Sequence, residues 1–179
     1  MTPTGIRIRD AGPEDAATVF ALFAALQDFE RAREPDRRPG ADCAAHVAWL
    51  TGWAAEGGFV LLAEEDDGDG SGGGAPIGLL IAGREDEGAY VPEETRIRGH
   101  VSDLYVAPEA RRRGVGLALL REAEARLRAA GLRKLTIDAL AWNAPALALY
   151  RAWAGPAVSL SFTRDLPALS PPSPPPSQS

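Results

Sequence analysis

The stretch Val106-Ala-Pro-Glu-Ala-Arg-Arg-Arg-Gly-Val-Gly-Leu117 constrains this chain more than any other. It joins an apolar strand pattern, His100-Val-Ser-Asp-Leu-Tyr-Val106, to a helical pattern running from Gly114 to Ala130. Pro108 ends the strand. In the helix Leu120, Ala123 and Leu127 share one face, and Glu122–Arg126 and Glu124–Arg128 are favourable i,i+4 pairs. Gly131 fits the helix stop. Lys134-Leu-Thr-Ile-Asp-Ala-Leu140 reads as the next strand. Strand, crossover helix and strand make a βαβ unit, so the two strands are expected to run parallel. The turn inside this unit carries the chemistry. A helix N-terminus offers unpaired N–H donors and a positive dipole end, which suits a phosphate or pyrophosphate. Gly114 and Gly116 let those donors approach an anion with no Cβ in the way. Arg111, Arg112 and Arg113 add charge and bidentate geometry. No Gly-Lys-Ser/Thr follows, so this is not a P-loop, and the glycines stop short of a dinucleotide fingerprint.

The rest of the chain supplies further strands and helices. Ile6-Arg-Ile-Arg9 alternates like a short strand, and Gly12-Pro-Glu-Asp15 starts a helix whose buried stripe is Val19, Leu22, Phe23 and Leu26. A polar, arginine-rich linker covers Glu30 to Gly40. Asp42 is expected to cap a second helix with His46, Trp49, Leu50 and Trp53 on its apolar face. Phe59–Ala63 and Pro76–Ala82 are two strands, with a flexible Asp/Gly-rich hairpin connection from Asp66 to Gly74. Arg84 to Arg98 is a second polar connection. Asn143 caps a final short helix through Trp153, and Val158–Leu166 reads as a last strand. From Pro167 the composition turns to proline and serine, which predicts a disordered tail over 167–179. One domain over 1–166 is therefore expected.

Composition narrows the function. The 179 residues carry a net charge of −6, which opposes bulk binding to nucleic acid or an anionic membrane. No apolar run approaches the roughly 20 residues that cross a bilayer. The single cysteine, Cys43, excludes an internal disulfide and any cysteine-based zinc site, and no metal is expected. These features point to a cytoplasmic protein.

Three segments in order carry a family resemblance: Leu104-Tyr-Val-Ala-Pro108, Arg111-x-x-Gly114-x-Gly116, and Asn143-x-x-Ala146-x-x-Leu149-Tyr150. Together they resemble the GNAT superfamily of acyl-CoA-dependent N-acetyltransferases, in which Arg/Gln-x-x-Gly-x-Gly/Ala is the pyrophosphate signature. Ser102–Val106 and Ala141–Tyr150 look most like the diamine acetyltransferases and their bacterial relatives. The resemblance implies an α/β (α+β) fold with a mixed, mostly antiparallel central sheet flanked by helices. Its one parallel βαβ unit would hold the acetyl-CoA site. It also implies transfer of acetyl from acetyl-CoA, as co-substrate, to a primary amine of a small molecule or peptide, by direct attack in a ternary complex. Homodimers are common in the family.

Residue by residue, the resemblance implies that the backbone of Leu104, Tyr105 and Val106 pairs with the pantetheine arm. The turn that opens with the motif's Arg111 would hold the pyrophosphate on the amides around Arg112, Arg113, Gly114, Val115, Gly116 and Leu117. Asn143 matches an asparagine beside the pantetheine arm, and the helix cap is its alternative role. Tyr150 matches the family's general acid. Asn143 and Tyr150 lie two helical turns apart, so they share a face. The family's glutamate base is replaced by Ser102, so the base is assigned to the adjacent Asp103, although strict alternation turns it to the other face. Asp28, Glu30, Asp138 and His100 are the other candidates. Arg112 stands where the family has glycine, and little chain remains after Tyr150 for a final hairpin. A competing reading is a non-catalytic acyl-CoA-binding module with a degenerate acceptor site.

Overall fold

The computed structural model describes residues 3–66 and 74–164. Five strands form one sheet in sequential order: β1 (Ile6–Asp10), β2 (Phe59–Glu65), β3 (Pro76–Asp86), β4 (Ile97–Val106) and β5 (Leu135–Ile137). Neighbours β1 to β4 pair antiparallel, and β4 pairs with β5 in parallel. This is the mixed, mostly antiparallel sheet with one parallel crossover that the sequence implied. The crossover helix is α4 (Val115–Ala129), and Leu120, Ala123 and Leu127 are on its buried face. The Asp66–Gly74 connection lies largely outside the described residues, and the 167–179 tail entirely so.

Two cores sandwich the sheet. On one face α1 (Ala16–Arg31) and α2 (Ala44–Ala55) bury Val19, Leu22, Phe23, Val47 and Leu50 against Leu62, Leu79, Ile81 and Tyr105. On the other, α4 sets Val115, Leu119 and Leu120 against Leu61, Leu80, Ala82 and Val101, with residues of α5 (Ala144–Ala154) at its margin. Alternate residues of β2 and β3 go to opposite cores, as a strand covered on both faces requires. Those strands accordingly read as near-continuous apolar runs.

Several boundaries differ from the sequence reading. The hairpin of β3 and β4 is longer, because Arg84, Glu85 and Asp86 pair with Gly99, Arg98 and Ile97. Arg98 ties it by ion pairs to Glu85 (3.1 Å) and Glu87 (2.7 Å), so charged residues that looked like a connection extend the strands. The second helix begins later. Residues Gly40–Asp42 form a 3-10 turn and Cys43 is the cap position, so Asp42 caps nothing. The buried face of α2 is Val47, Leu50 and Ala54, while His46 and Trp49 are exposed. β5 keeps only three residues of the expected seven-residue strand. Among the described residues of the expected last strand, 158–164, there is no strand. Val158, Leu160 and Phe162 lie in solvent there, with no sheet edge beneath them.

An ion network secures the first strand. Among the described residues Glu64 and Asp15 are the two buried acids, and both bind Arg9. Arg9 reaches Asp15 with both terminal nitrogens (2.5 and 2.8 Å), and Nε donates to Glu64 at 2.8 Å. Arg7 adds a second bond to Glu64 at 2.6 Å. The Arg9 guanidinium holds the Asp15 carboxyl down at about 2, against an ordinary 3.8. A depressed folded-state value means stability that is present above pH ~3.8 and fades as pH falls toward 2. Arg9→Ala is expected to cost about 1–3 kcal/mol at pH 7 by stranding charged hydrogen-bond partners. Denaturant titrations should show the deficit narrowing between pH 4 and 2.

Candidate active site

A β-bulge shapes the site. Going along β3, Ile81 faces Asp103 but Ala82 faces Val101, so Ser102 is an extra residue in β4. The bulge breaks the strand's alternation. Val101 belongs to the core beneath α4, whereas Tyr105, four residues on, belongs to the core beneath α1 and α2. Leu104 and Val106 pack back toward α4. Strict alternation fails here, and Ser102 and Asp103 come together: the Ser102 hydroxyl donates to the Asp103 carboxylate.

Pairing with β5 stops at the same place. Only Gly99, His100 and Val101 have partners on β5. From Ser102 onward that edge of β4 has no strand beside it among the described residues. Leu104 and Val106, which alternate with the β3-facing Tyr105, turn their backbone groups there, and the Val106 carbonyl accepts from Arg111. At the end of this edge comes the turn. Gly114 (φ 86°) is left-handed and is the cap position of α4. Ala118 donates the first helical bond, to the Gly114 carbonyl, so the amides of Val115, Gly116 and Leu117 have no acceptor within the helix. A Cβ on Gly116 would come within 3.1 Å of Leu149 and 3.7 Å of Val106. Bare backbone thus brings α5 close to the start of α4.

The three arginines are not equivalent. Arg111 donates from Nε to the Val106 carbonyl (3.0 Å), and its guanidinium lies 5.1 Å from the Phe29 ring centre. Arg113 pairs with Glu65 on β2 at 2.7 Å. Arg112 makes no ion pair among the described residues, and it has a left-handed backbone with φ 62°. That conformation costs a non-glycine residue about 1–2 kcal/mol. The position where the resemblance calls for glycine is therefore one where glycine would be relaxed.

On α5, Asn143 Oδ1 accepts from the Ala146 amide at 3.3 Å, so the helix-cap role is present. Tyr150 is half-buried on the same helix. Its hydroxyl is pushed above the ordinary tyrosine range by burial first, then by the negative charges of Glu30 and Asp103. The Asp103 charge acts on Glu30 as well. Burial raises Glu30, with Asp103 adding to it and Arg37 opposing. Burial also raises Asp103, against the Ser102 hydroxyl and the charges of His46, His100 and Arg37. So Asp103, Glu30 and Tyr150, from β4, α1 and α5, converge on one place.

The other candidate bases are otherwise engaged. Asp28 accepts from the Gly40 amide at 2.8 Å and holds the α1–α2 connection. Asp138 is exposed. His100 bonds through Nδ1 to the Thr136 hydroxyl (3.0 Å). Glu30 pairs with Arg37 at 2.9 Å. His46 was expected to pack on the helix face. Instead it stands in a file of rings, 5.6 Å from Phe23 and stacked 5.7 Å from Trp49. Trp49 stacks on Trp53 (6.5 Å), and Trp53 meets His100 edge-on (6.4 Å). The two histidines of this file act electrostatically on Asp103. Arg37 has no signal as a site residue beyond the arginine-rich composition of its linker, while His46 is readable from its type as a candidate base, against the alternative of a packed helix-face histidine. Trp142 closes the far side: its indole N–H donates to Glu34 (2.8 Å), and its ring packs on Phe29 and under Arg33. Among the described residues no acid, histidine and cysteine cluster could hold a metal ion, and no helix is long and apolar enough to cross a membrane.

The turn yields a stability test. Arg112→Gly should raise the unfolding free energy by about 1 kcal/mol, and Arg112→Val should lower it, in chemical denaturation.

Comparison with known proteins agrees with this architecture. Residues 21–155 match the acetyltransferase (GNAT) family. No curated protein matches in sequence. Among solved structures, the tetramutant of the BH1408 protein from Bacillus halodurans superposes with a TM-score of 0.71 at 17% identity, covering 89% of this chain and 99% of that one. The aminoglycoside antibiotic 6'-N-acetyltransferase AAC(6')-Ih from Acinetobacter baumannii gives 0.63 at 18% identity, over 91% and 100% of the two chains. AAC(6')-Iy, solved with the bisubstrate analog CoA-S-monomethyl-acetylneamine, gives 0.65 at 15% identity, over 91% and 99%. At such identities these structures speak to the fold, and the family match covers three quarters of the chain. The glycine turn, the parted strands and that match lead to one conclusion: the chain belongs to the GNAT family and is an acetyl-CoA-dependent N-acetyltransferase.

Proposed function

We propose that the chain transfers acetyl from acetyl-CoA to a primary amine by direct attack in a ternary complex, with Asp103 as general base and Tyr150 as general acid. The observation that carries this reading is the convergence of Asp103 and Tyr150 beside the parted edge of β4. The domain that does this is taken as residues 1–166.

The free edge fits an extended amide-bearing arm. The strand from Leu104 to Val106 would hold it by backbone bonds, chiefly from Leu104 and Val106, and Asn143 would join them besides capping α5. The amides from Arg112 to Leu117 suit the pyrophosphate, because their donors point into an anion's place and lack internal acceptors. Arg112 is the guanidinium free to turn toward it, while Arg111 and Arg113 set the turn's shape. When bound, acetyl-CoA supplies an activated acetyl thioester.

The acid and base have matched tasks. An alkylammonium ionises near 10, so the acceptor nitrogen must lose a proton before it attacks. Asp103 takes that proton. Burial raises its carboxyl, which makes it a stronger base than a solvated aspartate, and the Ser102 hydroxyl fixes its orientation. At the other end a thiolate leaves, with an ordinary pKa of about 8.5. Tyr150 stays protonated across the working range, because its pKa is raised. Its hydroxyl donates a hydrogen bond to the departing sulfur. Because burial makes the phenol a weaker acid, it hands its proton to the thiolate only in concert with taking the one that the newly acylated nitrogen must lose. The named activity of the two aminoglycoside enzymes supports a small-molecule acceptor.

Tyr150→Phe should lower turnover by about 10–100-fold and leave acetyl-CoA affinity by calorimetry nearly unchanged. Equal turnover would remove Tyr150 from the mechanism. In wild-type protein kcat/KM should rise with pH along a limb above the ordinary aspartate value of about 3.9. Asp103→Asn should abolish that limb and most of the rate.

A further inference from the structure

Beside the Asp103–Glu30–Tyr150 convergence lies a cavity of about 520 Å³, between the end of α1, the connection to α2 and the start of α2. Its lining includes Gln27, Arg37, Arg38, Asp42 and His46. Asp42 is the single carboxylate of that lining, so Arg37 and Arg38 leave the wall positive even with His46 neutral. Arg38 makes no ion pair among the described residues, although its backbone is held: its carbonyl accepts from Gln27 Nε2 at 3.1 Å. The neighbouring Arg37 carbonyl accepts from Arg31 Nε at 3.1 Å. The connection is thus anchored by its backbone, with the Arg38 guanidinium left to solvent and cavity.

Arg37 joins the two regions. It lines the cavity and pairs with Glu30 at 2.9 Å. The reacting end therefore carries two carboxylates and the cavity end two guanidinium groups offset in part by Asp42, and the Arg37–Glu30 pair joins them. A purely cationic acceptor would meet Asp103 and Glu30 well but would set its remaining positive charge against Arg37 and Arg38. A purely anionic ligand would have the reverse conflict. The arrangement matches a molecule with one charge of each sign.

We propose that the acceptor is a small zwitterionic amine, an amino acid in the broad sense. Its ammonium faces Asp103 and Glu30, and its acid group sits in the cavity on Arg38, Arg37 and His46. This rests on the acetyl-transfer reading for the location of the reacting end. It adds the acceptor's charge pattern. Arg38 is then a specificity residue: it touches the acid group and takes no part in moving protons.

The test is a binding measurement. The protein has two histidines, so imidazole NMR follows His46 separately from His100. The probes are the unbranched amino acids from glycine to 6-aminohexanoate, each paired with the alkylamine of the same length that lacks the carboxylate. At least one amino acid should shift His46 saturably, at a concentration about tenfold or more below its paired amine. Arg38→Ala, a change at an exposed side chain, should erase that preference. No saturable shift across the series, equal binding by the amines, or a preference that survives Arg38→Ala would each overturn the proposal. Backbone amide spectra of the same sample, taken with acetyl-CoA alone, read residues 112–117. Silence there would fault the cofactor site, while silence at His46 alone would fault the zwitterion.

Discussion

One extra residue in β4 sets the geometry on which the site depends. Because Ser102 has no opposite number on β3, the strand turns its next side chains to the other face. Asp103 thereby leaves the register of Val101 and joins Glu30 and Tyr150. The same dislocation coincides with the end of pairing to β5, so a strand edge opens where its backbone donors and acceptors are needed. A bulge of this kind gives up ladder bonds locally. β3 repays it by being buried on both faces and paired along its length with β2 and β4. The rigid middle of the sheet permits an irregular neighbour.

The functional groups come from elements distant in the chain, and each is fixed by contacts made elsewhere. Glu30 sits in the last turn of α1, whose apolar stripe anchors it to the sheet. The connection after it is pulled back onto the helix by Asp28, Gln27 and Arg31, each bonding a backbone group. Tyr150 rides on α5, which is positioned through Leu149 over Gly116 and through the Trp153 indole N–H on Glu124 of α4. Charge is managed differently at the two ends of the molecule. Near β1, Arg7 and Arg9 balance Glu64 and Asp15, which makes a structural clamp. Around Asp103 the charges are only partly matched, and the carboxyls are raised by burial.

What could be read from the sequence followed from local rules. The βαβ unit showed because its period changes from strand to helix between two stops, and the glycine turn showed because a helix start needs no tertiary information. The buried face of α4 followed from spacing alone. The bulge at Ser102 did not show, since register is a property of two strands and only one can be inspected at a time. For the same reason Asp103 was given the wrong face by simple alternation. The lengths of β3 and β4 were underestimated because cross-strand ion pairs, invisible in a one-dimensional pattern, extend them. His46 and Trp49 looked apolar by spacing, yet the sheet under α2 is already filled by Val47, Leu50 and Ala54. The expected strand after Val158 had the right alternation but no sheet edge to receive it.

The two tethered arginines of the turn bear on the character of the anion site. Arg111 is held by Val106 and Phe29, and Arg113 by Glu65, so in the proposed anion site the amide dipoles and these two guanidinium groups would act from fixed positions. Such dipoles act over a few ångströms and in contact with their ligand, where dissolved counter-ions do not intervene. A site of this construction keeps its grip in concentrated electrolyte far better than a patch of mobile surface cations would.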